Sequence, residues 1–344
     1  MQAAYYTGNK SIEMGDSSSI APAGNEVQIR VAYGGICGTD LHIFRGAMSH
    51  RVNTPQIMGH EISGTISAIG SNVKNIAIGE RVAVMPLEIN NCPDEQQSAD
   101  SWYVCDGIKV LGLDTNGGFQ TYWTVPADTI HKLPDNLSLT HGALLEPLAV
   151  ACHAVRRAKI IQGESVVVLG GGPIGTLVAL VAREAGADVT ISELNDFRIG
   201  LLRNELGFKV VNPLEADLKS VVMQATDGRG CDAIFEVTGN AKAASIMTEL
   251  PRIHGRIMIT GIFAEAPQVD LFKIFWREIQ LIPTRLYNHE DFQRAIQLAA
   301  SGAVNLDPVI TDIRPLRDLQ RSLEEIDQGA NALKILIEVN TDNV

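Results

Sequence analysis

An apolar run, Ser165-Val166-Val167-Val168-Leu169, opens directly into Gly170-Gly171-Gly172-Pro173-Ile174-Gly175, and nothing else in the chain restricts the fold as tightly. The run has the length and β-branched character of a buried strand, and residues 176–185 have the texture of a helix. A chain that passes from strand to helix through Gly170, Gly172 and Gly175 in G-x-G-x-x-G spacing makes a tight turn at the first glycine. The second lets the backbone approach a pyrophosphate, and the third lets helix and strand pack closely. The amides at the start of the helix then face negative charge. Residues 187–192 read as a second strand, and 232–237 and 255–260 repeat the pattern with helical segments between. Strands alternating with helices pair in parallel through right-handed crossovers, so the middle of the chain is expected to be a doubly wound parallel sheet. Glu193 follows Gly175 by 18 residues, at the tip of the second strand. A carboxylate there accepts hydrogen bonds from both adenosine ribose hydroxyls and repels a 2′-phosphate, which favours NAD over NADP. Arg198 is the counterweight, since a nearby arginine binds a 2′-phosphate or stacks on adenine.

The flanks differ. Residues 1–147 are irregular and β-rich, with short strand-like runs at 26–32 and 62–70 bounded by Gly and Asn turns. Residues 90–116 are polar without clear periodicity and read as a long surface lobe that Trp102 and Tyr103 anchor. After Tyr287 come a helix at 291–300, an amphipathic stretch at 316–327 and a closing strand at 333–339. At 344 residues two domains are expected. The tail is expected to return to the first, which divides the chain into 1–150, 151–287 and 288–344.

The first part carries a second constellation, Gly35-Ile36-Cys37-Gly38-Thr39-Asp40-Leu41-His42, followed 18 residues after His42 by His60-Glu61. Thiolate, imidazole and carboxylate form a ligand set suited to zinc. Hydride removal from an alcohol requires the hydroxyl to lose its proton, and zinc lowers that pKa. Cys37 and His60 are the first two candidate ligands. The third is a carboxylate, either Glu61 or Glu146, whose apolar setting (Leu144-Leu145-Glu146-Pro147-Leu148) is costly for an unpaired acid. Asp40 is placed to accept a hydrogen bond from His60, and Thr39 and His42 are groups able to carry a proton from substrate to water.

Composition excludes several classes. A net charge of −12, with no basic cluster interleaved with aromatics, argues against nucleic acid and anionic membrane as partners. The first residues lack the basic start and apolar stretch of a signal peptide, and no apolar stretch reaches the ~20 residues of a membrane span. Five widely spaced cysteines argue against a disulfide framework and for a reducing, cytoplasmic location. Cys152 and Cys231 read as packed thiols, and His131, His141 and His289 as surface residues.

The segments GICGTDLH, GHE, GGF (117–119), LLEPLAVACHAVRRA and VVVLGGGPIG, in this order and spacing, resemble the zinc-dependent medium-chain dehydrogenases essentially end to end. The EPL element and HAVRRA are most similar to the branch holding sorbitol, butanediol and threonine dehydrogenases. The resemblance implies an α/β chain in which a GroES-like β-rich catalytic domain is split around a Rossmann domain. It implies that Cys37 and His60 bind catalytic zinc, that Glu61 and Glu146 coordinate it directly, through water or alternately, and that Thr39 and His42 form the proton relay. Gly172, Pro173, Ile174, Glu193 and Arg198 match cofactor contacts. Thr260-Gly261-Ile262 and Pro283-Thr284-Arg285 match strand ends near nicotinamide; Arg285 also matches a position that reaches a polyol, and Ile43 and Phe119 line the pocket. One departure stands out. Where many members bind a second, structural zinc through four cysteines, this chain has Cys92, Glu95, Ser98 and Asp106, with Cys105 one position early, so no structural zinc is expected. The expected activity is NAD-dependent oxidation of a secondary alcohol in a polyol, vicinal diol or sugar-like molecule, with an amino alcohol such as threonine as the alternative. A zinc-free or noncatalytic nucleotide-binding protein is the competing class; joint retention of Cys37, Thr39, His42, His60, Glu61 and Glu146 argues against it. A homodimer or homotetramer is implied, with residues 275–286 able to serve in edge-strand pairing.

Overall fold

The computed structural model describes residues 1–89, 92–93, 98 and 101–340. The chain divides into two units. The first holds Met1–Glu146, Ala295–Ala300 and Ile310–Val344, and the second holds Pro147–Arg294 and Ser301–Val309. Set beside the expected boundaries, residues 147–150, 288–294 and 301–309 group with the second unit.

The first unit is built on a seven-stranded sheet. Its order runs Ile130–Lys132, Arg81–Val84, Glu61–Ile69, Glu26–Gly35, Lys334–Glu338 and Ile310–Pro315, with Tyr122–Pro126 also pairing with Glu26–Gly35. Strand Glu26–Gly35 is the hub. Along one edge it pairs antiparallel with Glu61–Ile69; its other edge takes Tyr122–Pro126 at residues 26–30 and Lys334–Glu338 at residues 33–35. The two C-terminal strands, Lys334–Glu338 and Ile310–Pro315, thereby join a sheet made otherwise from the first 132 residues. Val27, Ile29 and Val31 alternate into the core, fully buried, as the period of a strand requires.

The second unit is a six-stranded, all-parallel sheet in the order Lys209–Val211, Asp188–Ser192, Ser165–Leu169, Cys231–Glu236, Pro251–Ile259 and Gln280–Pro283. Val166, Val167 and Val168 are all buried, because helices cover both faces of a doubly wound sheet. Helix Pro173–Glu184 begins three residues earlier than the sequence texture suggested, with Gly172 as its N-cap and Pro173 in its first turn. Proline is favoured there because the first amides of a helix have no partner within it.

Two expectations are corrected. Cys92 and Cys105 form a disulfide with Cα atoms 5.9 Å apart. The antiparallel pair Leu87–Ile89 and Ile108–Val110 closes the base of the lobe and brings its two flanks together. Trp102 and Tyr103 are buried there with their rings edge to face. Glu95 lies outside the described residues. His131 is buried rather than on the surface, because it is the middle residue of strand Ile130–Lys132 and alternation turns it inward. Cys152 and Cys231 are buried, and burial pushes both thiols up to about 12. Among the described residues no helix is long and apolar enough to cross a membrane.

Candidate active site

Three neighbouring strand ends assemble the first constellation. Cys37 follows strand Glu26–Gly35, His60 immediately precedes strand Glu61–Ile69, and Lys334 opens the strand on the far side of the hub. The register places Gly35 opposite Glu61 on one edge and opposite Leu336 on the other. Gly35 is what admits the carboxylate, since a Cβ there would lie 2.0 Å from Glu61 Oε2. One donor atom each from Cys37, His60 and Glu61 falls within 4.8 Å of the others. Tetrahedral zinc, with bonds of about 2.0–2.3 Å, holds its ligand atoms roughly 3.3–3.8 Å apart, so shifts on the order of 1 Å bring the three into its shell.

The electrostatics fit a cation. Burial lowers the pKa of His60, but Asp40, the Cys37 thiol and Glu146 overcome this and push it up to about 10. Three acidic groups thus converge on one imidazole in a buried setting, and a divalent metal is the natural neutraliser. His60 Nδ1 and Asp40 Oδ1 face each other at 3.7 Å, each buried and without a hydrogen bond. They stand one small shift short of the hydrogen bond that orients a metal-binding histidine. Asp40 is fully buried, which raises its pKa; its other oxygen accepts the Cys37 amide at 2.9 Å and so shapes the cysteine loop. Glu146, in the first turn of helix Leu145–Ala158, is buried and acts electrostatically on His60 and Lys334, while lying outside the tight cluster of three.

Lys334 escaped the sequence reading. Its Nζ donates to Glu61 Oε1 at 2.8 Å, to Oε2 at 2.7 Å and to the Ile36 carbonyl at 2.9 Å. Burial lowers its pKa, yet Glu61, Cys37 and Glu146 outweigh that and raise it above the ordinary lysine range. The signal was present: a lysine at the start of an apolar closing strand has to meet a carboxylate if it is buried.

Thr39 and His42 lie three residues apart on helix Gly38–Phe44, hence on one face, and both are half-buried. The Cys37 thiol donates to Thr39 Oγ1 at 3.7 Å. Burial, and then Arg45, lowers the pKa of His42, so at neutral pH its imidazole is ready to accept a proton. Ile43 and Phe119 do not present open faces. Ile43 is 1% exposed and Phe119 fully buried, its ring packed on Gly34 and Gly59.

In the second unit the glycine turn has the expected geometry. Gly170 adopts φ +107°, and a Cβ at Gly175 would sit 1.9 Å from the Gly170 carbonyl, so neither position tolerates a side chain. Glu193 accepts the amides of Gly171 at 2.8 Å, Leu194 at 2.6 Å and Asn195 at 2.9 Å, which fixes its carboxylate against the turn. Arg198 reaches within 3.9 Å of the same carboxylate and passes near Gly172. Thr260 and Thr284 join the last two strand ends through a 2.8 Å hydroxyl pair, beside Gly261; Ile262 and Arg285 are exposed.

Fold and sites define a dehydrogenase scaffold: a β-rich unit with a metal-seeking Cys-His-carboxylate cluster, and a parallel-sheet unit with a dinucleotide cradle. Comparison with known proteins agrees. Residues 23–135 match the alcohol dehydrogenase GroES-like domain and residues 173–301 the zinc-binding dehydrogenase domain. The chain is 46% identical over 343 residues to the 2-dehydro-3-deoxy-L-galactonate 5-dehydrogenase of Pseudoalteromonas atlantica, covering 99% of this chain and 100% of the relative. The structure of 2R,3R-butanediol dehydrogenase from Bacillus subtilis matches with a TM-score of 0.90 at 30% identity, over 98% of this chain and 99% of that one. A Sinorhizobium meliloti 1021 protein described as a zinc-binding dehydrogenase, bound to NADP, matches with a TM-score of 0.91 at 28% identity, with the same coverage. The chain belongs to the zinc-dependent medium-chain dehydrogenases. It is an oxidoreductase that acts on the CH–OH group of secondary alcohols, in a family that uses zinc and a nicotinamide dinucleotide.

Proposed function

We propose that this enzyme oxidises a secondary hydroxyl of a sugar acid or related polyol with NAD, using one zinc ion. The observation that carries the reading is the convergence of Cys37, His60 and Glu61 donor atoms within 4.8 Å inside a buried acidic field. The sugar-acid choice within the polyol class is supported by the 46% identical galactonate-type relative.

Cys37 and His60 would hold the metal, and Glu146 or Glu61 would complete its protein shell. A zinc ion held there would lower the pKa of the substrate hydroxyl. Asp40 orients His60. Lys334 holds both oxygens of Glu61, so Glu61 joins the shell only by exchanging an ion pair for a metal bond. Thr39 receives the hydroxyl proton and His42, neutral at pH 7, delivers it to water. Gly170, Gly172, Pro173, Ile174 and Gly175 cradle the pyrophosphate, while Thr260, Gly261, Ile262, Thr284 and Arg285 border the nicotinamide. Preference for NAD rests on Glu193, whose carboxylate is anchored by three amides and opposes a 2′-phosphate.

A homodimer formed by pairing of strand Gln280–Pro283 with its copy fits the same account. That strand is one of the two edges of the parallel sheet, and Phe272, Phe275 and Trp276 nearby in sequence are each at least two-thirds exposed. Sedimentation tests the oligomer. For the activity, NADH formation across a panel of sugar acids, polyols, diols and threonine, with NAD and with NADP, is the direct test. Highest kcat/KM for a sugar acid or polyol with NAD is expected; a preference for threonine or for NADP would refute the corresponding part.

A further inference from the structure

Two carboxylates flank the glycine turn, and only Glu193 has an assigned role. The other is Glu236, the last residue of strand Cys231–Glu236, which lies on the opposite side of the central strand. The chain builds the sheet outward from Ser165–Leu169 to Lys209–Val211, then returns to Cys231–Glu236 and builds outward the other way. In such a sheet the dinucleotide straddles the point of reversal, its adenosine on the first half and its nicotinamide on the second.

Glu236 is completely buried, and among the described residues no cationic side chain pairs with it. It is held by donors from one turn: the amide of Thr238 at 2.9 Å, the Thr238 hydroxyl, and the amide of Gly239, 3.2 Å from each carboxylate oxygen. Its backbone carbonyl accepts the amides of Thr260 and Gly261, both at 2.9 Å. The turn it secures is wedged on two sides. A Cβ at Gly170 would lie 2.5 Å from Thr238 Cγ2, and one at Gly175 would lie 3.0 Å from Val237 Cγ2. Gly239 adopts φ +61°, with space for a Cβ blocked 2.2 Å away by the Ile262 carbonyl; a Cβ at Gly261 would meet Glu236 Oε2 at 2.5 Å. One carboxylate therefore sets the distance between the glycine turn and the 260–262 segment. Burying an acid without a cation is expensive unless several aligned donors satisfy it, and the result is a rigid local geometry.

We infer that Glu236 is the positioning residue for the nicotinamide half of the cofactor site, acting through the turn 237–240, as Glu193 serves the adenosine half. This rests on the dinucleotide reading of the second unit. The test measures affinity for NADH by fluorescence and for AMP by calorimetry on the zinc-loaded enzyme and its variants. In Glu236→Gln the carboxamide turns an N–H toward the Gly239 amide, which needs an acceptor, so NADH binding should weaken about tenfold or more while AMP changes less than about twofold. Glu193→Ala should weaken AMP. Glu164→Gln is the structural control: it disturbs another buried carboxylate of the same sheet, paired with Arg256 at the opposite end of the strands. It should lower the melting temperature and leave both affinities intact. Thr238→Val, which removes one donor to Glu236, should weaken NADH in the same direction by less, and it decides the question if Glu236→Gln fails to fold. Unchanged NADH affinity, or parallel loss of NADH and AMP, would overturn the assignment of Glu236. Wild-type protein that binds neither ligand would instead overturn the dinucleotide reading, and this inference with it.

Discussion

Lys334→Met is the substitution whose consequence can be worked most fully from the structure. The ammonium sits 2.7 and 2.8 Å from the two oxygens of Glu61, with both side chains at most 2% exposed. Removing one partner of a buried pair leaves the other charge without compensation, at a cost of about 3–5 kcal/mol. The Ile36 carbonyl, which also accepts from Lys334, loses a donor at the same time. Methionine fills a similar volume, so little of the loss comes from packing. Denaturant unfolding of metal-free protein should show the first unit losing about 3 kcal/mol or more, a large share of the stability of an ordinary domain. The double substitution Lys334→Met with Glu61→Gln should recover a substantial part, because the stranded charge is gone and only a neutral amide is buried. A loss below about 1 kcal/mol, or a double variant no more stable than the single one, would show that Glu61 is neutral or solvated and that the pair does not organise the site.

The other expectations follow from the same geometry. Cys37→Ala and Glu146→Ala should lose activity and zinc while keeping NADH affinity within about twofold, because both residues lie in the first unit and the glycine turn in the second; equilibrium NADH titration checks this. Glu193→Ala should weaken NAD and improve NADP, read as the ratio of their kcat/KM values; an unchanged ratio would remove Glu193 from cofactor choice. Asp291 supplies a pH dependence: burial would raise its pKa, but bonds from His153, Arg156 and the Asn288 amide hold it down to about 2 against an ordinary 3.8. A depressed carboxylate stabilises the fold fully above pH ~4 and loses that contribution as pH falls through ~2, so Asp291→Asn should cost about 2 kcal/mol at neutral pH and flatten acid unfolding across that window.

Much of the fold was legible because periodicity and glycine chemistry are local. The six residues from Gly170 to Gly175 announce strand, turn and helix within one peptide, and the structure differs only in where Pro173 starts the helix. Cys37, His60 and Glu61 were legible as donor types in a short span. Lys334 was not, because it lies 273 residues from Glu61 and meets it only through pairing of the C-terminal strand with Glu26–Gly35. Glu236 was missed for the reverse reason: its partners are backbone amides two and three residues on, which leave no mark in side-chain spacing. Ile43 and Phe119 were placed by resemblance alone, and the packing of Phe119 against Gly34 and Gly59 depends on sheet geometry that no motif encodes. The cysteines misled because parity and spacing say nothing about a hairpin that brings Cys92 to Cys105.

The central claim is that a single zinc at Cys37, His60 and a carboxylate makes a nicotinamide-dependent dehydrogenase of this chain. The most direct test removes metal with a chelator, then measures metal content and NADH formation from a sugar-acid or polyol substrate before and after zinc is returned. The account predicts about one zinc per chain in the active protein, loss of turnover with its removal and recovery on its return. Full turnover in metal-free protein would contradict it.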